Sequence, residues 1–313
     1  MKILAVIFLT LIISLPIIFF IISYIFFKVV FHFPKKYHDV TFDLPKGPGY
    51  QKYGDEKMLA LIQKFVDRPY EKVEIKSREG FKLTGKYYHV KDGAPIALCC
   101  HGYKGTGIRD FCGGGDIVLS LGQNVLLIDQ RNHGTSEGKW ITFGIKERYD
   151  VGEWINYIND RFGRETTIYL YGVSMGAATA LLASLNKDLP SNVKKVLVDC
   201  PYSSCKDITI AVGESYGIPS WITKAILYPS CRLYGHFSYN DGDILKEIKN
   251  AKIPTLIIHG KADTLVPHEM SIKIAEQNKK MVQLELFDNA DHAMSFMEDN
   301  ARYKKLIKDF LNK

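Results

Sequence analysis

Apolar positions dominate the start of the chain and later recur as short runs at regular spacing. From Ile3 to Phe27 there are 25 residues without a charge. As a helix rising about 1.5 Å per residue, that run exceeds the ~30 Å hydrocarbon core of a bilayer. Pro16 is tolerated inside such a helix, and Tyr24 with Lys28, Lys35 and Lys36 marks one interface. The pattern predicts a transmembrane signal anchor over residues 1–31. A cleaved signal peptide would have an apolar core of ~7–15 residues and a small-residue cleavage site. The longer run and the bulky residues 26–33 argue for retention. Positive charge after the helix argues for a cytoplasmic domain. A lone anchor behind the short leader Met1-Lys2 argues for export, and the extracytoplasmic face is the expectation.

Residues 32–72 are interrupted by Pro34, Pro45, Pro48 and Pro69 and read as a linker, with one helical patch around 58–65. From Val73 the pattern changes. Segments 73–78 and 82–90 flank Glu79-Gly80 as a hairpin. Short apolar runs then follow at 96–100, 125–129, 168–171, 196–200, 255–259 and 283–287. Most are separated by stretches with helical spacing. Examples are Val151, Trp154, Ile155, Ile158 and Phe162, and at the end Tyr303, Leu306, Ile307, Phe310 and Leu311. Continuous apolar strands alternating with helices predict an α/β domain over 73–313, with a mostly parallel sheet covered on both faces. Its ligand sites belong at the carboxyl ends of the strands. Residues 202–243 are too long for a bare connection and predict a small helical cap.

Composition changes this picture little. The chain of 313 residues has a formal net charge of +7, but Lys and Arg are scattered and no nucleic-acid-binding motif accompanies them. The six cysteines form no paired C-x-x-C, so nothing calls for a metal or an organic cofactor. Cys99 and Cys100 read as small hydrophobes. Cys200, Cys205 and Cys231 leave one disulfide open.

Chemistry concentrates at the predicted strand ends. Gly172-Val173-Ser174-Met175-Gly176 follows a strand and opens a helix with Ala177, Ala178 and Ala180. A nucleophilic hydroxyl needs such a sharp, exposed turn, and the helix start offers backbone N–H groups to developing negative charge. A glycine-flanked turn with an incidental serine is the plain alternative. Two further residues weigh against it, arriving in the chain order serine, acid, histidine. Asp263 ends the strand 255–259 within Gly260-Lys261-Ala262-Asp263, and His292 follows the strand 283–287. Ser174 is a poor nucleophile until a base takes its proton. His292 can do so near neutral pH, with Asp263 orienting the imidazole. Asp288 and Asp291 compete for the acid role, but Asp291 is adjacent to His292. His259 reads as a support of the acid loop, and His101 and His133 precede the serine. The loop His101-Gly102-Tyr103-Lys104-Gly105 supplies the second oxyanion donor, so the backbone N–H groups of Tyr103 and Met175 are the expected pair.

These stretches, with Asp129-Gln130-Arg131-Asn132-His133-Gly134-Thr135-Ser136-Glu137-Gly138 and Asp291-His292, resemble the α/β-hydrolase superfamily, in particular membrane-anchored or prolyl-oligopeptidase-like esterases. The resemblance spans residues 95 to 293. It implies an α/β-hydrolase fold, a Ser174–His292–Asp263 triad, and a structural role for 129–138. Asn132 stands where the family usually has glycine. The loop at 101–105 lacks the triple glycine of some lipases, which argues against a bulky-acyl lipase specificity.

The expected function is hydrolysis of carboxylic esters through an acyl-enzyme, with a small-molecule or lipid-like acyl ester as partner and the membrane as support. A peptidase or amidase of the same fold is the first alternative, and an inactive tethered binding protein the second. Trp140, Trp221 and Met294 are expected substrate-pocket walls, together with Tyr103, Met175, Phe296 and the aromatic residues of the cap. Each of these is equally compatible with ordinary packing.

Overall fold

The computed structural model describes residues 2–44, 46 and 48–313. Pro45 and Gly47 of the expected linker, and Met1, lie outside the described residues. The chain opens with α1 (Lys2–Phe31), then α2 (Pro48–Gln51) and α3 (Asp55–Val66). A hairpin of β1 (Glu71–Lys76) and β2 (Lys82–Tyr88) follows. Next come β3 (Ile96–Cys100), α4 (Gly107–Phe111), α5 (Gly114–Ser120), β4 (Asn124–Ile128), α6 (Glu147–Phe162), β5 (Ile168–Val173), α7 (Met175–Ser184) and β6 (Val193–Asp199). Between β6 and the later strands stand α8 (Cys205–Ser215), α9 (Ser220–Ser230), a π turn (Cys231–Gly235) and α10 (Ile244–Glu247). The chain closes with β7 (Thr255–Gly260), α11 (Glu269–Gln277), β8 (Val282–Phe287), α12 (Ser295–Glu298) and α13 (Asn300–Asn312).

One sheet carries the fold, in the order β1-β2-β4-β3-β5-β6-β7-β8. β2 is antiparallel to β1 and β4, and every other pair is parallel. All five residues of β3 and of β4 are buried, as continuous apolar strands covered on both faces require. Successive side chains feed opposite layers. Leu98 and Cys100 join the cluster that includes Val151 and Trp154 of α6, whereas Ala97 and Cys99 join the one that includes Phe65 of α3 and Ile307 of α13. All six cysteines are free thiols.

The N-terminal helix is the one described helix long and apolar enough to cross a bilayer, which is compatible with a single-pass anchor or a signal sequence. Its last turns leave the solvent. Ser23, Phe27 and Phe31 are buried and spaced i, i+4, i+8, so this stripe packs on the domain. Residues 32–72 are also more than a connector. Phe33 and His38 are buried, and α3 places Met58, Ile62 and Phe65 against the sheet layer.

Candidate active site

The carboxyl ends of β3, β5, β6, β7 and β8 converge on one cleft. Register sets Cys100 opposite Gly172 and Val173 opposite Asp199. Ser174 sits between β5 and α7 with φ 55° and ψ −115°, a conformation L-residues seldom adopt. Two glycines make the turn possible. A Cβ on Gly172 would lie 2.2 Å from the Gly176 carbonyl oxygen, and one on Gly176 would lie 1.9 Å from that of Cys100. The Ser174 N–H donates to the Asp199 carbonyl at 2.9 Å, which fixes the elbow to β6.

Ser174, His292 and Asp263 come together in a line. The Ser174 hydroxyl donates to His292 Nε2 at 2.9 Å, and His292 Nδ1 donates to Asp263 Oδ2 at 2.7 Å. Asp263 is met on both oxygens. Oδ2 also accepts from His259 Nε2 at 3.0 Å, and Oδ1 accepts from the N–H groups of Leu265 and Val266 at 2.9 and 2.7 Å. Burial alone would push this carboxyl up; the charges and hydrogen bonds of His292 and His259 prevail and hold it well below the usual carboxylate range. Burial pulls His292 down, but Asp263 outweighs it and the imidazole is raised above its ordinary value. His259 is fixed at both ring nitrogens, with Nε2 donating to Asp263 and the Val266 carbonyl and Nδ1 on the Ser271 hydroxyl at 2.7 Å. Asp291 holds the two loops together, its Oδ1 accepting from the N–H groups of Thr264 and His292 at 2.9 and 2.7 Å. Asp288 pairs with Lys261 on the surface.

The loop at 101–105 is pinned on either side of Tyr103. The Gly102 N–H donates to Asp110 Oδ2 at 2.7 Å, and the Lys104 N–H donates to His133 Nε2 at 3.0 Å. Burial keeps His133 well below its ordinary value, so it is a neutral acceptor supplied by the 129–138 loop. In that loop Asn132 takes φ 58°, a left-handed conformation that asparagine tolerates better than most residues. The Tyr103 N–H, and that of Met175 at the first position of α7, have no protein acceptor among the described residues.

Ser174 and His292 line a cavity of about 490 Å³. Its walls are mostly apolar: Phe33 and Leu44 before α2, Met58 and Leu61 of α3, and Phe296 and Ile307 near the C-terminus. Met294 and Tyr103 line it as well. Trp140 and Trp221 do not. Trp140 packs on Phe27 of α1 at 4.9 Å between ring centroids, and Trp221 is 68% exposed on α9. Met175 is buried in the core, and the cap aromatic residues are absent from the cavity walls. Another part of the wall is instead built by Phe33, Val40, Leu44, Tyr50, Met58 and Leu61. There Tyr50 faces Asp291 and Asp263, which add to the effect of burial in raising its phenol. Gly49 lies so close to Asp291 that a Cβ would meet its carboxylate at 1.7 Å. Nothing in the linker-like composition signals this role. Asp199 was also not singled out, although an acid at a strand end is a readable signal; burial raises it to about 7. Cys200 Sγ lies 3.9 Å from His292 Nε2. Cys200, Asp263 and His292 bring donor atoms within 4.8 Å of one another. Burial pushes that thiol well up, and the other two residues bond each other.

A family model described as the alpha/beta hydrolase fold matches residues 95–213. YqkD of Bacillus subtilis is 28% identical over 240 residues, covering 76% of this chain and 78% of its own. The lysophosphatidylserine lipase ABHD12 of Danio rerio is 25% identical over 239 residues, 69% of this chain and 58% of that one. Among solved structures, the Pyrococcus furiosus esterase Pf2001 superposes with a TM-score of 0.62 at 25% identity, over 80% of this chain and 94% of its own. Strand order, elbow and matched family model agree that the chain has the α/β-hydrolase fold.

Proposed function

We propose that the chain is a membrane-anchored serine hydrolase that cleaves carboxylic esters with a substantial acyl chain. The hydrogen-bonded line from Ser174 through His292 to Asp263 carries this reading. His292 Nε2 takes the Ser174 proton as Oγ attacks the ester carbonyl. The oxyanion of the tetrahedral intermediate is received by the N–H groups of Tyr103 and Met175. His292 returns the proton to the leaving alcohol, giving an acyl-enzyme. Water, deprotonated by the same imidazole, then attacks the acyl carbon and releases the acid. Asp263 holds the Nδ1–H tautomer and stabilises the imidazolium at both steps.

The apolar cavity beside Ser174 supports an acyl group of some length, and the likeness to an esterase and to a lysophosphatidylserine lipase supports an ester as substrate. Retention of α1 is supported by burial of Ser23, Phe27 and Phe31, which cleavage after the apolar run would uncover. A fluorophosphonate probe should label the protein and Ser174→Ala should abolish labelling; labelling that persists sinks the assignment. p-Nitrophenyl esters of graded acyl length should be turned over faster than aminoacyl anilides. The reverse ranking would make the protein an amidase.

A further inference from the structure

The described large apolar side chains of α1 from Ile3 to Ile22 are 40% to 77% exposed. Those 20 residues of helix measure about 30 Å, the thickness of a hydrocarbon core. At the end of this run the cap meets the helix. The Tyr234 hydroxyl donates to the Phe20 carbonyl at 3.1 Å, and its ring lies 5.1 Å from Tyr24 and 5.6 Å from Phe27. Phe20 is two residues, about 3 Å, inside the exposed run. The π turn therefore reaches the edge of whatever surrounds α1, and α9 also packs against that helix.

Helix α9 turns Thr223, Leu227 and Ser230 inward. Its other face carries Trp221 and Tyr228, 68% and 59% exposed, one helical stripe seven residues apart with Lys224 between them. Arg232 and Leu233 of the π turn continue the exposed surface. Tryptophan, tyrosine and basic residues together are what the membrane–water interface selects. We propose that the outward face of α9 and the π turn docks on the bilayer surface beside α1, with the headgroup–acyl boundary of an anionic lipid bilayer as its occupant. The proposal rests on the reading of α1 as an anchor. Continuity with α1 argues for lipid: a surface attached at the level of Phe20 to Phe27 has lipid headgroups as its immediate neighbours. Lys224 and Arg232 supply the charge that anionic headgroups complement. The consequence is two-point attachment, which fixes how the cleft is held above the membrane.

The test uses the full chain in vesicles of equal parts phosphatidylcholine and phosphatidylglycerol, with bromines on the acyl chains. Trp221 emission is isolated as the difference between the parent protein and Trp221→Phe. Interfacial helices bury an apolar face ~5–10 Å into the boundary, within reach of shallow bromines, so the Trp221 component should be roughly halved. Tyr228→Trp in the Trp221→Phe background should be quenched as well. Ile13→Trp in that background reports α1 independently. If Ile13→Trp is quenched and neither cap position is, docking is overturned while the anchor stands. If none is quenched, the anchor reading fails and docking fails with it. A blue-shifted but unquenched Trp221 means that a second copy of the chain covers the face, which also overturns the proposal.

Discussion

Asp263 is the most heavily satisfied side chain of the site, and its surroundings define what a substitution does. An Asn at 263 preserves the shape but no longer selects the Nδ1–H tautomer of His292. Asp263→Asn should lower kcat on a p-nitrophenyl ester by about 10⁴-fold while leaving the fold intact. The pH dependence follows from the neighbouring charges. In the proposed reaction His292 must be unprotonated to accept the Ser174 proton, and Asp263 raises it above its ordinary value. Activity should therefore fall as pH drops through a midpoint above about 6.5, the ordinary imidazole value. Asp199 contributes to that elevation once ionised, and burial places its own titration at about 7. Asp199→Asn should shift the acidic limb of the kcat/KM profile to lower pH; an unmoved limb would show that Asp199 does not couple to the imidazole. Stability follows the opposite signs for acid and base. The depressed Asp263 contributes stability above about 3.9 that is lost as pH falls through its lower folded value. The raised His292 contributes stability that is full below about 6.5 and lost as pH rises through its folded value.

At the scale of elements, the turn between β5 and α7 leaves no room for a side chain at either of its glycines. The contact of 1.9 Å predicted for a Cβ at Gly176 is against the backbone of β3, which cannot step aside as a side chain can. Gly176→Ala should prevent folding or lower the urea midpoint strongly, whereas Ala180→Gly on the same helix should cost only about 1 kcal/mol. This element was legible because its spacing, its glycines and the alanines after it all require one local geometry. The parallel strands were legible for a related reason: burial on both faces writes a continuous apolar run that needs no tertiary knowledge. The acid and base loops followed from strand ends. The cavity wall was not legible. Residues 33–61 carry the prolines and glycines of a linker, and nothing local distinguishes a segment crossing open solvent from one laid across a cleft. Trp140 and Trp221 misled for the converse reason: a large aromatic residue near a site satisfies a pocket and a helix-packing role equally well, and α1 claims the first of them. Asn132 shows the limit of a family pattern, since asparagine adopts the left-handed backbone for which glycine is the usual solution.

The whole molecule is organised around the junction of α1 with the hydrolase domain. The last turns of the helix serve the core and the loop at 101–105 together. Phe27 and Phe31 are fully buried and Phe33 is 5% exposed. The terminal carbonyls of Val30 and Val29, orphaned by the end of the helix, accept from the Tyr103 hydroxyl at 2.7 Å and from Lys104 Nζ at 3.3 Å. A form beginning at Pro34 removes all of these groups. Each buried phenylalanine contributes about 1.5–3 kcal/mol, against a total stability of about 5–15 kcal/mol for an ordinary domain. Such a form should be marginally stable, and its loop at 101–105 should lose the side-chain bonds of Tyr103 and Lys104. A form beginning at Ser23 keeps the buried stripe and both carbonyls while discarding most of the apolar run. It should unfold at clearly higher urea than the shorter form and retain the kcat of the full chain on a soluble short-chain ester, whereas the shorter form should show reduced kcat even where it remains folded. Equal urea midpoints and equal kcat for the two would mean that the end of α1 merely lies against the domain. A difference confined to the midpoint would separate core packing from support of the loop at 101–105.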